Sequence, residues 1–226
     1  MLKNETLETL NILIVSIVYL CNMNLRDTIL MSAFDLFLKY GIKSVSMDDI
    51  CKKIGISKKT VYNVISTKDE LIHKVLDKHL SRDEEEVTAI LTGSGNAIDG
   101  MVNISRHVIQ FLKRMTPSLI HDLKKYHPGA WKIIEERHFP FIEKTIYDNI
   151  RQGQKEGLYR KDLDANILSK LYVLQSLAIS DQEHFGQDTY TKTDLYKEMI
   201  KYHLHGIISD EGRKLITQQH KNFLSV

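Results

Sequence analysis

The residues of this chain whose types could do specific chemistry lie between Ser57 and Leu71, in the stretch SKKTVYNVISTKDEL. Lysine can neutralise a phosphate or reach the acceptors of guanine, asparagine can pair with adenine, and threonine and tyrosine hydroxyls can donate to phosphate oxygens. Between positions 51 and 74 there are six lysines and two acidic residues, whereas the whole 226-residue chain carries a formal net charge of only +2. This local positive charge predicts a surface for double-stranded DNA; the alternative is a lysine-rich face that contacts only solvent.

The apolar residues of the same stretch indicate how the polar ones are held. At about 100° per residue, Val61, Val64 and Ile65 share one helical face. Lys59 and Asn63 lie nearly opposite that face. A helix of this stretch has about two turns, and isolated helices shorter than about 12 residues are marginal in water. We therefore expect neighbouring helices to hold this one against a core.

Two of those neighbours are predicted on the amino-terminal side. Apolar residues at helical spacing predict a helix over residues 25–40, which Gly41 ends. Ser46 is placed to cap a second helix, with Asp49 in the capping-box position, and Gly55 is placed to end it. The order of a short helix, a glycine turn and a second short helix with a polar outer face predicts a helix-turn-helix.

A longer helix is predicted to follow the motif. Thr67 is placed to cap it, and Glu70 three residues later would complete a capping box. Lys68 in its first turn would lie beside amides that point at an anion, which predicts a phosphate clamp. We assign the motif to about residues 46–65 of an amino-terminal DNA-binding domain at 24–80.

The remainder of the chain, residues 81–226, is predicted to form a second helical domain after a glycine-rich loop from Thr92 to Gly100. The fold class is all-α, because no segment sustains the alternation of apolar residues that is typical of strands. Gly153 and Gly157 are predicted to close the third helix of this domain. Its helices, with a break in the third at Pro140, are predicted over about residues 101–115, 117–126, 129–156, 164–184 and 192–209.

The motif and its spacing resemble those of a known family. The run SVSMDDICKKIGISKKTVYNVISTKDELI, from Ser44 to Ile72 and preceded by ILMSAFDLFLKYG, is similar to the amino-terminal domain of the tetracycline-repressor (TetR/AcrR) family of transcriptional regulators. The similarity includes the glycine turn, a Ser-Lys start, Thr-x-Tyr and Lys-x-Glu-Leu. Val64 and Ile65 depart from the aromatic pair common in the family, so DNA recognition should rest more heavily on the residues before them.

The resemblance implies a role in DNA binding for individual residues. Lys59 and Thr60 lie where base or phosphate contacts are made, Tyr62 matches a phosphate-contacting tyrosine, and Asn63 matches a variable contact position. Two further positions match contacts to the phosphate backbone. The full set expected at DNA is Ser46, Lys58, Lys59, Thr60, Tyr62, Asn63 and Lys68.

The resemblance also implies that the second domain dimerises and binds a small-molecule effector. Dimerisation has independent support, because the helix over residues 164–184 is apolar on more than one face. With the last long helix it would form a four-helix, two-fold symmetric interface; the alternative is a buried helix of a monomeric core. The residues expected at this interface are Leu171, Leu174, Ala178, Met199, Leu204 and Ile207.

An effector cavity is predicted among the large apolar and amphipathic residues of the central helices, since such residues line ligand sites. The alternative is an ordinary packed core. The candidate lining residues are Phe111, Met115, Trp131, Ile134, His138, Phe141, Tyr147 and Tyr172.

Catalytic and metal-binding sites are not supported by the sequence. His203 and His205 face different ways on a helix, and the chain has no HExxH motif, phosphate-binding glycine loop or nucleophile elbow. Cys21 and Cys51 form no spaced pair. We expect no enzyme, metal or cofactor, interpret the histidines as scattered surface or capping residues, and expect a reducing, cytoplasmic setting.

The most apolar run of the chain, ILIVSIVYLC from Ile12 to Cys21, has ten residues, whereas a membrane-spanning helix needs about 20. It lacks the flanking charge and cleavage site of a signal peptide. We interpret residues 1–23 as an extension that packs loosely or is not natively translated, because Met23 immediately precedes the first patterned helix. No membrane partner is expected, although a peripheral membrane contact is a lesser alternative.

Together these expectations predict a homodimeric transcriptional regulator that binds a palindromic DNA operator. The resemblance implies a repressor, since most relatives are repressors. An effector in the second domain would shift the helix that begins at Thr67. The two DNA-contacting helices must meet major grooves about 34 to 36 Å apart, so a change in their separation would release the DNA. Two alternatives remain: an effector-independent or activating DNA binder, and a helical ligand-binding or enzymatic protein that does not bind DNA.

Overall fold

The structure is a computed structural model and describes residues 24–181, 185 and 189–220. Within these ranges the chain is all-α, as predicted, and its only β-type pairing is an isolated bridge between Tyr159 and Ile208. The proposed extension at 1–23 and the predicted helical residues 182–184 lie outside the described residues.

Three short helices form the amino-terminal unit: α1 (Leu25–Tyr40), α2 (Met47–Ile54) and α3 (Lys58–Tyr62). The predicted caps are confirmed. The Ser46 hydroxyl accepts from the Asp49 amide while the Asp49 carboxylate accepts from the Ser46 amide, a complete capping box. Gly55 ends α2 in the left-handed conformation with φ 71°, which a residue with a side chain rarely adopts.

Helix α3 is shorter than predicted, because it ends at Tyr62 rather than at Ile65. The amides of Val64 and Ile65 still donate to the carbonyl of Val61, at 2.9 Å each, so a tight turn completes the apolar face. Ile65 is fully buried. The docking of the predicted apolar face is thus confirmed although the helix itself spans five residues.

Helix α4 (Lys68–Thr92) is continuous for 25 residues and crosses the predicted domain boundary at residue 80. Thr67 caps it as predicted, but the Glu70 carboxylate accepts from the amide of Ser66, at 2.7 Å, instead of closing a capping box on Thr67. The predicted loop over 92–100 shrinks to residues 93–96, because Asn96 caps the next helix through the Asp99 amide.

The carboxy-terminal unit begins after Asn96. Its third predicted helix breaks where expected, just before Pro140, at a π-helical turn in which the Phe139 amide donates to the carbonyl of Ile134, five residues back. The helices are α5 (Ala97–Arg114), α6 (Ser118–Tyr126), α7 (Pro128–Ile133), the π-helical turn (Ile134–His138), α8 (Phe139–Glu156), α9 (Ala165–Asp181), α10 (Lys192–Ile207) and α11 (Asp210–Gln219).

Two features of this unit differ from the sequence prediction. Gly153 does not end α8, but lies inside it, where a Cβ atom would come within 2.1 Å of the Tyr159 ring. The Tyr159 hydroxyl is buried and donates to the Asn149 side chain or the Ala97 carbonyl, at 3.1 Å each. Helix α11 was not predicted, because its apolar pattern is sparse; Ser209 caps it through the Gly212 amide.

The two units share one apolar core and are joined by more than the continuous α4. The Thr116 amide donates to the Leu38 carbonyl at 2.8 Å. The buried Asp122 carboxylate accepts from the Lys43 amide at 2.9 Å. A displacement in the carboxy-terminal unit therefore has a direct mechanical route to α1–α3.

Candidate functional site

Helix α3 is mounted on the core by its apolar side and exposes its polar side. Val61 and Ile65 are fully buried, and Val64 is half-buried against them. Lys59 and Asn63 are exposed, and Tyr62 is 43% exposed, a large fraction for an aromatic side chain. The predicted separation of a docked face from a polar outer face is therefore present.

Two predicted DNA-contacting hydroxyls already have partners. The Ser46 hydroxyl donates to the Asp49 carboxylate at 2.6 Å, and this bond holds the pKa of Asp49 below its usual value. The Thr60 hydroxyl lies 2.8 Å from that of Ser57. The Ser46 hydroxyl must redirect its proton to donate to a phosphate, whereas the Thr60 hydroxyl must do so only when it is the donor of its pair with Ser57.

The two lysines at the start of α3 differ in their surroundings. Lys58 forms an ion pair with Asp48 at 2.7 Å, and this pairing raises the pKa of Lys58. Lys59 is exposed and has no ion-pair partner among the residues that the structure describes. Lys59 therefore presents a full positive charge, whereas a phosphate must compete with Asp48 for Lys58.

Lys68 faces the protein more than solvent. Its Nζ donates to the Ile42 carbonyl at 2.7 Å, and burial lowers its pKa despite the nearby carboxylates of Asp122 and Asp49. In this position it ties the start of α4 to the α1–α2 connection. A phosphate clamp by Lys68 stays a prediction, and it requires the ammonium to turn away from Ile42.

A cavity of about 210 Å³ lies between α4 and the carboxy-terminal unit, lined by α4, α5, α6, the α7–α8 region and α9, and also by Phe34 of α1 and Tyr196 of α10. Its wall is predominantly apolar. Tyr147 does not line it and is half-buried elsewhere against the core. The other predicted candidates do line it: Phe111, Met115, Trp131, Ile134, His138, Phe141 and Tyr172.

One part of the cavity wall is polar, and most of it was not predicted from the sequence. His79 and Asp83, one turn apart on α4, face His107 of α5 and His138 of the π-helical turn. The His107 Nε2 lies 2.8 Å from the Asp83 carboxylate, which raises the pKa of His107. The four-residue spacing of His79 and Asp83 is the available signal, but the sequence prediction of surface or capping histidines is wrong for these half-buried, cavity-lining ones.

Burial keeps two of these imidazoles neutral. It lowers the pKa of His79 to about 4, and the His79 ring lies between the rings of Phe34 and Phe111, with centroids at 4.2 and 5.2 Å. Burial also lowers the pKa of His138, whose Nδ1 has no hydrogen-bond partner in the described part of the chain. A buried, unpartnered polar atom on a cavity-lining residue calls for an explanation, and a ligand group is one.

The π-helical turn connects this cavity to α4. Its Arg137 guanidinium contacts both carboxylate oxygens of Glu84, at 2.8 and 2.9 Å, and the Asp77 carboxylate at 2.7 Å. It also donates to the Ser81 hydroxyl at 2.8 Å. The residue next to Arg137 is the cavity-lining His138, so the same turn carries a cavity contact and the contacts to three positions of α4.

The predicted dimer residues divide into exposed and buried sets. Leu171 and Leu174 of α9 are exposed, the latter by 61%, and Ala178 is half-buried. The assignment of the other three residues to the interface is corrected. Met199, Leu204 and Ile207 lie on the inner side of α10 and pack into the core of their own subunit. The outer side of α10 instead carries Tyr202, His205 and Gly206, which together with Ile167, Leu171 and Leu174 we call the α9–α10 face.

The described residues contain neither a candidate metal site nor a membrane-spanning helix. No group of three or more histidine, cysteine or acidic side chains there is arranged to hold a metal ion. None of the described helices is long and apolar enough to cross a membrane.

Comparison with known proteins places the motif in a family. Residues 29–75 match the family described as bacterial regulatory proteins, tetR family. The HTH-type transcriptional regulator YvaF of Bacillus subtilis is 22% identical over 184 residues, which cover 81% of this chain and 95% of YvaF. The HTH-type transcriptional repressor KstR2 of Mycolicibacterium smegmatis is 19% identical, over 84% of this chain and 93% of KstR2.

The complete fold also has solved counterparts. A transcriptional regulator from Saccharomonospora viridis, solved in complex with choline, superposes with a TM-score of 0.64 at 19% identity, covering 81% of this chain and 97% of that one. The family and these relatives are regulators rather than enzymes, in agreement with the sequence prediction. Over residues 29–75 the chain is thus similar to tetR-family regulatory proteins, and this matching helix-turn-helix region lies in the amino-terminal unit of an all-α fold.

Proposed function

We propose that this regulator is a homodimeric repressor that leaves a palindromic operator when a small molecule occupies the cavity. Its DNA contacts are assigned to the outer face of α3. Support comes chiefly from the way α3 is mounted: two fully buried apolar side chains hold a five-residue helix that exposes Lys59, Tyr62 and Asn63. Such a helix contributes little to the core and suits insertion into a major groove.

Within α3 the proposed contacts have separate roles. Lys59 neutralises a phosphate, Tyr62 donates its hydroxyl to a phosphate, and the amide of Asn63 contacts a base edge. Ser46, Lys58, Thr60 and Lys68 contribute after exchanging the partners they have in the DNA-free protein.

The proposed dimer uses the α9–α10 face. Exposed leucines on α9 and an exposed tyrosine on α10 form an apolar surface, and burying one such leucine contributes about 1.5 to 3 kcal/mol. A two-fold dimer pairs this face with its own copy. Each of these residues is therefore buried once in each subunit, and its contribution counts twice. The two α3 helices could then meet major grooves about 34 to 36 Å apart.

The proposed release runs from the cavity through the π-helical turn to α4. A ligand against His138 moves the turn, and Arg137 transmits the movement to Asp77, Ser81 and Glu84. The amino-terminal end of α4 follows directly after α3, so a small tilt changes the separation of the two DNA-contacting helices. The S. viridis relative, solved with choline, is consistent with a ligand-binding role for this fold.

The direct test is binding to the DNA upstream of the protein's own gene, measured by gel shift and fluorescence anisotropy over a range of salt concentrations. We expect the double variant Lys59→Ala, Tyr62→Ala to bind about tenfold or more weakly, since removing each phosphate-contacting group costs about 1 kcal/mol or more. The salt slope should fall by about 1 for the lysine.

The matched control is Lys155→Ala, which removes one exposed lysine from α8 and should leave both quantities unchanged. Equal binding by the wild type and the double variant would show that α3 is not the DNA-contacting helix. A wild type that binds no DNA from its own upstream region or from neighbouring promoters would remove the repressor assignment.

A further inference from the structure

The size of the cavity limits what it can hold. An apolar protein cavity of about 150 Å³ is known to bind benzene. At about 210 Å³, the cavity here has room for one ring with one or two small substituents. Its wall is aromatic and aliphatic, with Phe34, Phe111, Phe139 and Trp131 among the lining residues, so the body of the ligand must be apolar.

Among the described residues that line the cavity, His138 carries a buried ring nitrogen without a hydrogen-bond partner. Asp83 and His107 are within 2.8 Å of each other and satisfy one another. The Nδ1 atom of His138 is buried without a partner among the described residues. A buried polar atom without a partner costs about 1 to 3 kcal/mol, so a ligand group that reaches Nδ1 recovers much of that cost.

The charges around the cavity select against an anion. No lysine or arginine is among the described residues that line the cavity, whereas Asp83 does line it. The pKa of Asp83 is lowered: burial raises it, but the hydrogen bond from His107 and the neighbouring imidazoles outweigh burial. A carboxylate or phosphate there would be buried without a counter-charge, which is strongly unfavourable. A cationic ligand gains little binding energy from Asp83, because the Asp83 carboxylate is already hydrogen-bonded to His107.

The protonation state of His138 narrows the polar group further. A neutral imidazole nitrogen is a donor in one tautomer and an acceptor in the other. A hydroxyl can both donate and accept, so it matches Nδ1 in either tautomer, whereas a carbonyl matches only one. A hydroxyl group on the ring is therefore the polar group that matches His138 Nδ1 best, because it forms the hydrogen bond with either tautomer.

We propose that the cavity binds an uncharged, one-ring molecule whose hydroxyl group forms a hydrogen bond with Nδ1 of His138. This inference rests on the proposed function only in giving the cavity a regulatory ligand, since binding itself requires no DNA. The ring lies against the aromatic wall, and the hydroxyl lies at the end of the cavity formed by α4 and the π-helical turn. Such a ligand contacts the residue next to Arg137 directly.

Three probes of similar size test the assignment on the full-length protein: 4-methylphenol, 1,4-dimethylbenzene and 4-methylbenzoate. Trp131 is the only tryptophan of the chain and lines the cavity, so its fluorescence reports occupancy, with calorimetry as the second measurement. We expect 4-methylphenol to bind roughly tenfold more tightly than 1,4-dimethylbenzene, the size of one net hydrogen bond. The benzoate should not bind measurably.

The variant His138→Leu should abolish the preference for the phenol while retaining binding of 1,4-dimethylbenzene, which also reports that the cavity still forms. His138→Asn, which returns a polar group, should restore part of the preference. The matched control is His121→Leu, the same change at an exposed histidine of α6 that does not line the cavity. It should leave all three affinities unchanged.

Failure of all three probes to bind would overturn the inference, as would tight binding of the benzoate or an unchanged phenol preference in His138→Leu. The upstream-DNA titration separates this failure from that of the proposed function. Operator binding without probe binding would leave the regulator assignment standing and remove the ligand assignment. Probe binding as predicted, with no DNA binding, would leave the ligand assignment standing and remove the regulator assignment.

Discussion

The two ends of α4 hold their polar groups in opposite ways. At its amino-terminal end, α3 exposes lysine, tyrosine and asparagine side chains to water, and nearby hydroxyls are satisfied by local caps. Toward its carboxy-terminal end, half-buried histidines and an aspartate line a cavity, and a buried nitrogen of one histidine has no described partner.

The difference separates two kinds of binding. Exposed charges give affinity that depends on salt, because they release counterions from DNA. Buried neutral groups give selectivity for a ligand that supplies the missing hydrogen bond. A substitution at one end of α4 should therefore change one kind of binding and leave the other unchanged, except where the dimer or the π-helical turn connects them.

The largest effect is expected at the α9–α10 face, on which DNA binding by both subunits depends. Leu171→Glu combined with Leu174→Glu places four carboxylates at the two-fold interface and removes four buried leucines, so the dimer dissociation constant should rise more than a hundredfold, a cost above about 3 kcal/mol. Light scattering after size exclusion measures the oligomeric state.

The control for this prediction is Leu25→Glu, the same change at an exposed leucine of α1. It should remain dimeric. A double variant that stays dimeric would show that the α9–α10 face is not the interface, and would also remove the geometric basis for a palindromic operator.

The second prediction concerns pH and the buried histidines. Burial lowers the pKa of His203 from its usual 6.5 to about 4, and its Nε2 has no partner in the described part of the chain. The unfolded chain therefore binds more protons than the folded one between these values, so stability falls as the pH falls from about 6.5 to about 4. His203 alone contributes about 3 kcal/mol to this loss, and His79 and His138 add to it in the same direction.

His203→Leu should make chemical unfolding measurably less dependent on pH in this window, whereas His121→Leu should leave the dependence unchanged. His107 acts in the opposite sense, because its pKa is raised and its contribution is lost as the pH rises. An equal slope in wild type and His203→Leu would mean that His203 is hydrated in solution.

The third prediction addresses the connection between the two ends. Arg137→Gln removes the ion pairs to Glu84 and Asp77, so it should weaken the coupling between the π-helical turn and α4, leaving only the direct contacts of α4 with the cavity. We expect operator affinity without ligand to stay within about twofold of wild type, while the weakening of DNA binding by 4-methylphenol falls by about tenfold, within the usual 1 to 3 kcal/mol of coupling.

The matched control for Arg137 is Arg82→Gln, which removes an ion pair to Glu86 made within α4. It should retain full coupling. If Arg137→Gln releases DNA as readily as wild type, the movement travels by another route, such as the Asp122 contact to the α1–α2 connection.

The smallest effect distinguishes two adjacent lysines. Lys59→Ala should weaken DNA binding by about 1 kcal/mol, whereas Lys58→Ala should cost less because Lys58 first has to leave Asp48. Asp48→Asn should accordingly tighten binding. The measurement is anisotropy at several salt concentrations, and equal losses for both lysine variants would show that the ion pair is absent in solution.

Much of the amino-terminal unit was predictable, because its helix boundaries depend on local signals. Ser46, Gly55 and Thr67 act on amides or dihedral angles within a few residues, so their types and spacing were sufficient. The early end of α3 was not predictable, since the turn from Asn63 to Ile65 depends on how Ile65 inserts into the core. Glu70 likewise accepts from Ser66 rather than Thr67 because of the path the chain takes before α4.

The carboxy-terminal unit was predictable in its helices but less so in its faces. The predicted candidates other than Tyr147 line the observed cavity, yet His79, Asp83 and His107 come from two helices whose relative rotation is set by tertiary packing. The same limit explains the error at Met199, Leu204 and Ile207: the apolar pattern of α10 has two sides, and only the packing against α5 and α9 decides which one is exposed.

Hydrogen exchange of the wild-type protein, with and without DNA from upstream of its gene, tests the central claim most directly. The prediction is slower exchange at the amides of residues 57–65 when the DNA is bound, with no change around Lys155 of α8. Saturating DNA binding that leaves exchange at residues 57–65 unchanged would contradict the assignment of α3 as the DNA-contacting helix.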